Sequence, residues 1–131
     1  MYSEYYKPDP GLITAMGVSD NYTFEKAMVD YKNGDYDKAI KGWLSLKSNQ
    51  ATNDTLDYFL GAAYQASGQY DTAIPYLEKI ASEKENTFNK DACWYLGLAL
   101  LRKGNKELAA TYIQQSGYPQ SPELLNALNK K

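Results

Sequence analysis

Three short segments of this 131-residue chain repeat one another at a nearly fixed interval, and that interval restricts what the chain can fold into. Gly34 and Gly68 stand 34 residues apart, as do Tyr36 and Tyr70, and Ala39 and Ala73. From Gly68 to Gly104, and from Ala73 to Ala109, the step is 36, and the polar stretch SEKENTFNK accommodates the two extra residues. The segments are KNGDYDKAIKGWLSL (32–46), ASGQYDTAIPYLEKI (66–80) and the more divergent RKGNKELAATYIQQS (102–116). A unit of this length holds one supersecondary element, which buries its apolar face by stacking on its neighbours.

Residue types within each unit predict two antiparallel helices. In the second unit Leu56, Phe59, Leu60, Ala63 and Tyr64 recur at three- and four-residue steps and make one apolar stripe. Gly68 then ends the helix, because glycine takes the left-handed conformation without a Cβ penalty. The next stripe runs through Tyr70, Ala73, Ile74, Leu77 and Ile80. Asp35, Gln69 and Asn105 follow the three turn glycines, Asp35 and Asn105 being good N-caps and Gln69 a weaker one. Small residues fall where the helices must cross, with Ala27, Gly61 and Gly97 facing Ala39, Ala73 and Ala109. Larger side chains there would push the axes beyond the usual separation of about 8–10 Å. Pro75, inside the second helix of the second unit, predicts a late start or a slight kink.

The tail GYPQSPELLNALNKK reads as a loop and a final helix. Ser121 is its expected N-cap, Pro122 its first helical residue, and Leu124, Leu125 and Leu128 its apolar edge. Such a helix would cover the face that a further repeat would otherwise bury. The fold class expected is all-α, an α-solenoid of about three helix-turn-helix repeats with a C-terminal capping helix. Residues 1–20 form an extended N-terminal segment. Residues 21–131 form the repeat domain, with repeats at about 21–53, 54–87 and 88–120 and the cap at about 121–130.

The segments YFLGAAYQASGQYDTAIPYLEKI and CWYLGLALLRKGNKELAATYI carry a Leu-Gly-x-x-Tyr…Gly-x-Tyr…Ala pattern. On it the chain resembles the tetratricopeptide-repeat (TPR) family over roughly residues 21–128. The aromatic-rich N-terminal segment and the Trp-Tyr-Leu-Gly-Leu-Ala helix are similar to small bacterial members, often tethered to a membrane by an N-terminal anchor. Such an anchor would lie upstream of Met1. The resemblance implies that the first helix of each repeat lines a concave groove that takes a peptide. The family's groove positions fall on Phe24, Met28, Tyr31 and Lys32, then Tyr58, Ala62 and Gln65, then Asp91, Trp94, Leu98 and Arg102. Phe24, Met28, Tyr31, Tyr58, Gln65, Trp94, Leu98 and Arg102 are the candidate partner-binding set. One subclass of the family clamps the C-terminal carboxylate of chaperones with Lys, Asn and Arg. Phe24, Met28, Phe59, Asp91 and Tyr95 stand at those positions here, and none pairs with a carboxylate.

The chain departs from the family pattern in three ways. The first repeat has Lys26-Ala27 in place of Leu-Gly, and its Tyr31 comes one position late. Leu46 and Ile80 stand where alanine is usual, and the first two repeats lack the closing proline.

Composition removes several function classes. With no histidine and a single cysteine, Cys93, the chain has no intramolecular disulfide. It also lacks the usual transition-metal ligands and nucleophile–base pairs, so no catalytic residue, metal site or cofactor is expected. Cys93 lies among Ala92, Leu96 and Gly97 and reads as a buried structural thiol. The 14 Lys and Arg residues are scattered and the net charge is −2, which argues against nucleic acid. No stretch approaches the roughly twenty apolar residues of a membrane span. The expected setting is cytoplasmic, or that of a soluble part of a membrane-tethered protein. Asn21-Tyr22-Thr23 and Asn53-Asp54-Thr55 match glycosylation triplets, a weak signal.

Thirteen tyrosines leave the N-terminal segment the least ordinary part of the chain. SEYYKPDPGLI has too much proline and glycine for a helix and too many aromatic rings for a plain tail. Two readings stand side by side. Either it lies on its own domain with Tyr5, Tyr6, Leu12 or Ile13 docked, or it is a solvated linker. The function expected is a scaffold or adaptor that binds a protein, peptide or partner helix. Self-assembly into a homo-oligomer is the alternative, and a small-molecule site or enzyme a remote third.

Overall fold

Gly34, Gly68 and Gly104 adopt φ of +85°, +86° and +92°, and each separates a pair of helices as the repeat spacing requires. The computed structural model describes residues 2–12, 21–49 and 53–129, and all regular structure among them is helical. The elements are α1 (Tyr2–Tyr5), α2 (Asn21–Lys32), α3 (Tyr36–Asn49), α4 (Asp54–Ala66), α5 (Tyr70–Ala81), α6 (Asn89–Arg102), α7 (Lys106–Ser116) and α8 (Ser121–Asn129). The chain divides into two compact units, one of residues 8–76 and one of residues 77–131 together with the N-terminal seven.

In the unit of residues 8–76, α2 and α3 pair as a hairpin and α4 packs on α3. An aromatic cluster forms the core. Trp43 is fully buried, 5.7 Å from the Phe24 ring, 5.8 Å from Tyr31 and 6.1 Å from Phe59. Its indole N–H donates to the Phe24 carbonyl at 3.3 Å, so the buried polar tip is satisfied. The close crossing pairs Ala27 with Gly42, where an added Cβ would stand 3.1 Å from the Ala27 Cβ. The sequence had set Ala27 against Ala39, one helical turn earlier; Ala39 is fully buried as well. Lys47 donates at 2.9 Å to Asp57, whose side chain is only 1% exposed. The Lys47 ammonium also sits 5.9 Å from the Tyr76 ring centre. The Asn53 side chain accepts from the Leu56 amide at 3.1 Å and caps α4, a role its glycosylation-like triplet had hidden.

In the other unit α6 and α7 form the hairpin and α8 packs on α7. Gly97 sits at the crossing. A Cβ there would come within 2.6 Å of Ile113 Cγ1 and 3.1 Å of the Ala109 carbonyl. Asn105 caps α7 by accepting from the Leu108 amide at 3.2 Å, as its place after Gly104 predicts. The Asn89 amide donates to the carbonyls of Ile80 and Ala81 at 3.1 and 2.9 Å, which serves the last turn of α5 from the start of α6.

Three local expectations are corrected. Ser121 is the first residue of α8 rather than its N-cap: it is buried, and its hydroxyl donates to the Ile113 carbonyl on α7 at 2.8 Å. A tertiary acceptor has outcompeted the local one. Second, α5 does not start late, but runs from Tyr70 through Pro75. Its Ala73, Leu77 and Ile80 are fully buried, and Pro75 and Asp71 lie at exposed positions. The amide bond that proline cannot donate to the Asp71 carbonyl is therefore lost where water is at hand. Third, the segment read as wholly extended opens with a helical turn at Tyr2–Tyr5. The Tyr6 amide closes it onto the Tyr2 carbonyl at 2.9 Å, and the two rings stack with centres 5.1 Å apart. Pro8 prevents its continuation.

Candidate functional site

Of the eight residues proposed for a groove, seven are buried and only Arg102 is exposed. Their surroundings separate them into two groups.

Phe24 and Tyr31 belong to the core of their hairpin. Phe24 packs on Trp43, and the Tyr31 ring meets Tyr36, Trp43 and Phe59 at centre distances of 5.5, 5.8 and 6.0 Å. Both rings pack against Trp43 of the second helix of that hairpin.

Met28 and Tyr58 are buried and lie beside the chain's own N-terminal segment. The Tyr58 hydroxyl donates to Asp9 Oδ2 at 2.7 Å, and Asp9 Oδ1 accepts from the Gly11 amide at 2.8 Å. The side chain of Asp9 thus holds both a tyrosine on α4 and the turn that follows it. Gly11 has φ +90°, and a Cβ there would lie 2.8 Å from Met28 Sδ and 3.1 Å from Lys32 Cε. Both atoms end flexible side chains that can shift, so it is the positive φ that suits the position to glycine. Leu12 is half-buried; Ile13 lies outside the described residues. Gln65, also in this unit, is buried.

The second unit holds the N-terminus on α6 and α8. The Tyr95 hydroxyl donates to the Lys7 carbonyl at 2.8 Å, and the Tyr6 ring meets Tyr95 edge-on at 6.0 Å between centres. The Tyr5 hydroxyl donates to Glu123 Oε2 at 2.9 Å. Burial, then this bond to a carboxylate, raise the Tyr5 pKa above its ordinary value of 10.0. Trp94 stacks on Tyr118 with centres 4.8 Å apart, and the Tyr118 hydroxyl donates to Asp91. These side chains border a cavity of about 370 Å³ that Tyr5, Lys7, Trp94, Tyr95, Tyr118 and Glu123 help to line. Leu98 is fully buried on the same helix.

Tyr95, Tyr118 and Glu123 were not among the predicted site residues. Tyr95 adjoins Trp94 in an aromatic pair, which was the only local signal; the approach of Tyr5 to Glu123 spans 118 residues of sequence. Elsewhere on α6, Cys93 is buried, and burial pushes its thiol above the ordinary value of 9.0. Among the described residues no three His, Cys, Asp or Glu side chains gather as metal ligands, and no helix is long and apolar enough to cross a membrane.

Helical hairpins joined by positive-φ glycines, with small residues at their crossings, define a helix-turn-helix repeat protein. Residues 58–122 match the family model described as tetratricopeptide repeat. No curated protein matches it in sequence. Among solved structures it is similar to the Yersinia enterocolitica type III secretion chaperone SycD in complex with a peptide of the translocator YopD. Identity is 23%, the match covers 83% of this chain and 86% of that one, and the TM-score is 0.65. An alternative dimer of SycD matches at 24% identity over 83% and 85%, with a TM-score of 0.64. PcrH in complex with the chaperone binding region of PopB matches at 17% identity over 88% and 98%, with a TM-score of 0.66. At these identities the likeness is one of fold.

Proposed function

We propose that the chain is a protein-interaction module that binds an extended peptide or partner segment on the first helices of its repeats, without catalysis. The observation that carries this reading is the seating of the N-terminal segment. In the unit of residues 8–76, Tyr58 on α4 and Met28 on α2 meet Asp9 and Gly11; in the other unit, Tyr95 on α6 meets the Lys7 carbonyl. A surface that takes main-chain groups and aromatic edges suits a peptide better than a small metabolite. Within this reading Met28, Tyr58, Gln65, Trp94, Leu98 and Arg102 remain the binding set, with Tyr95 added. SycD, which holds a peptide of the translocator YopD, and PcrH, which holds the chaperone binding region of PopB, lend the same use of the fold their support.

The test is to pan a displayed peptide library against the 131-residue chain and map any enriched sequence by amide chemical shifts. Enrichment of a motif with shifts centred on Met28 and Tyr58, or on Tyr95, is the expected result. Absence of any enriched motif would overturn the reading.

A second reading, self-association, is favoured by one observation: Tyr22 and Val29 on α2 are 77% and 56% exposed on the same helix. Mass measured by light scattering over a hundredfold range of concentration decides it. A constant monomer mass excludes it.

A further inference from the structure

We propose that the surface formed by Tyr95 on α6 and Glu123 on α8 is a binding site for a peptide bearing two adjacent tyrosines, and that Tyr5-Tyr6-Lys7 occupies it in cis. The inference rests on the interaction reading above and specifies its partner.

Each contact at this surface asks for a distinct chemical group. Glu123 accepts the phenolic hydroxyl of Tyr5, which phenylalanine cannot offer. The Tyr95 ring takes the edge of the Tyr6 ring, which an aliphatic side chain would meet without the quadrupole attraction. The Tyr95 hydroxyl takes the carbonyl of the next residue, and that sets the direction of the bound strand without selecting its side chain. Lys7 itself is exposed, whereas Tyr5 and Tyr6 are half-buried. The site therefore reads Tyr-Tyr-x, where x is any residue. The carboxylate of Glu123 also disfavours an acidic residue at the first position, because like charges would meet there.

The occupant meets the site through the Tyr5 and Tyr95 hydrogen bonds and the Tyr6–Tyr95 ring contact, and its own chain tethers it there. A short tether of this kind gives the segment an effective concentration on the order of millimolar. A partner with the same groups must displace it, and its apparent affinity falls by the fraction of chains in which the site is open. The cis segment thus sets a threshold of partner concentration.

The probe is the peptide acetyl-Tyr-Ser-Glu-Tyr-Tyr-Lys-amide, titrated into the wild-type 131-residue chain and into its 131-residue double variant Tyr5→Ala/Tyr6→Ala. Binding is followed by the Trp94 indole N–H shift. The double variant is expected to bind the peptide at least tenfold more tightly than wild type. The control peptide with alanine at both adjacent tyrosines should bind neither chain. Adding Tyr95→Phe to the double variant should weaken binding at least fivefold. Should the double variant lose its helical circular dichroism, Tyr5→Phe takes its place, with a two- to fivefold gain expected. Equal affinity of wild type and variant, or an alanine peptide that binds as well as the tyrosine peptide, would overturn the proposal. If the tyrosine peptide fails while library-selected peptides still shift Met28 and Tyr58, this proposal falls and the interaction reading stands.

Discussion

Gly97 on α6 lies directly against Ile113 on α7, so closely that a methyl group at Gly97 would reach within 2.6 Å of Ile113 Cγ1. The backbone of α7 is nearly as close, with the Ala109 carbonyl at 3.1 Å and the Ile113 amide nitrogen at 3.2 Å from the same point. An isoleucine can rotate away, but a helix backbone cannot move without its neighbours. Gly97→Ala should therefore destabilise the protein by about 1–2 kcal/mol, since overpacking costs roughly 1–3 kcal/mol and the helix propensity of alanine returns up to about 1. At Gly42 the nearest atom is the Ala27 Cβ at 3.1 Å, with no backbone atom close. Gly42→Ala should be neutral within about 0.5 kcal/mol by the same offset. Urea unfolding of the two variants checks the contrast, and a larger loss for Gly42→Ala would refute it.

The cap of α4 rests on one side chain. Asn53→Ala removes the acceptor of the Leu56 amide and should cost about 1 kcal/mol. Asn53→Asp should preserve most of that, because a carboxylate accepts the same bond at a helix N-terminus. Thermal unfolding of both variants is the measurement, and equal melting temperatures for alanine and aspartate would remove the cap from the account.

Tyr58→Phe deletes the hydroxyl that holds Asp9 while keeping the ring that packs on Phe59 at 5.0 Å. A hydrogen bond to a charged group is worth about 1.5–3 kcal/mol. Hydrogen exchange at the Gly11 amide should accordingly quicken by about tenfold or more, while exchange in the α6–α7 hairpin stays as in wild type. An unchanged rate at Gly11 would mean that Asp9 is held by something other than Tyr58.

Alkaline pH should loosen the fold through Cys93 and Tyr64. Burial raises both, Tyr64 with a smaller contribution from its stacked neighbour Tyr76. A folded-state pKa above the unfolded value means that the folded protein holds its proton longer. The contribution is complete below the ordinary values of 9.0 and 10.0 and is lost as pH rises through the folded values. Urea midpoints at pH 8 and pH 10.5 should fall in that order, and Cys93→Ala should narrow the gap. At pH 8 a disulfide reagent should label Cys93 far more slowly in buffer than in denaturant.

The helices and their turns were legible because the information is local. A glycine that must take positive φ announces itself at Gly34, Gly68 and Gly104, and the stripes at three- and four-residue steps follow from the helix alone. The site was only partly legible. Helical periodicity marks Phe24, Tyr31, Tyr58 and Trp94 as apolar positions, but not which rings meet a hairpin partner and which meet another part of the chain. Trp43 decided that for Phe24 and Tyr31, from the second helix of their hairpin. Ser121 was misread for a similar reason: its hydroxyl prefers a carbonyl on α7 that no neighbouring residue reveals. Glu123 carried no sign at all, because its partner Tyr5 stands at the opposite end of the sequence.

The bond from Tyr95 to the carbonyl of Lys7 has one further consequence. A contact made with the main chain is blind to the side chain that hangs from it, so mutations at position 7 drift freely without touching the hold. Those at positions 5 and 6 do not. Within Tyr5-Tyr6-Lys7, natural variation would then gather at position 7 and spare the two rings before it, and a partner could acquire the same foothold by gaining only two residues.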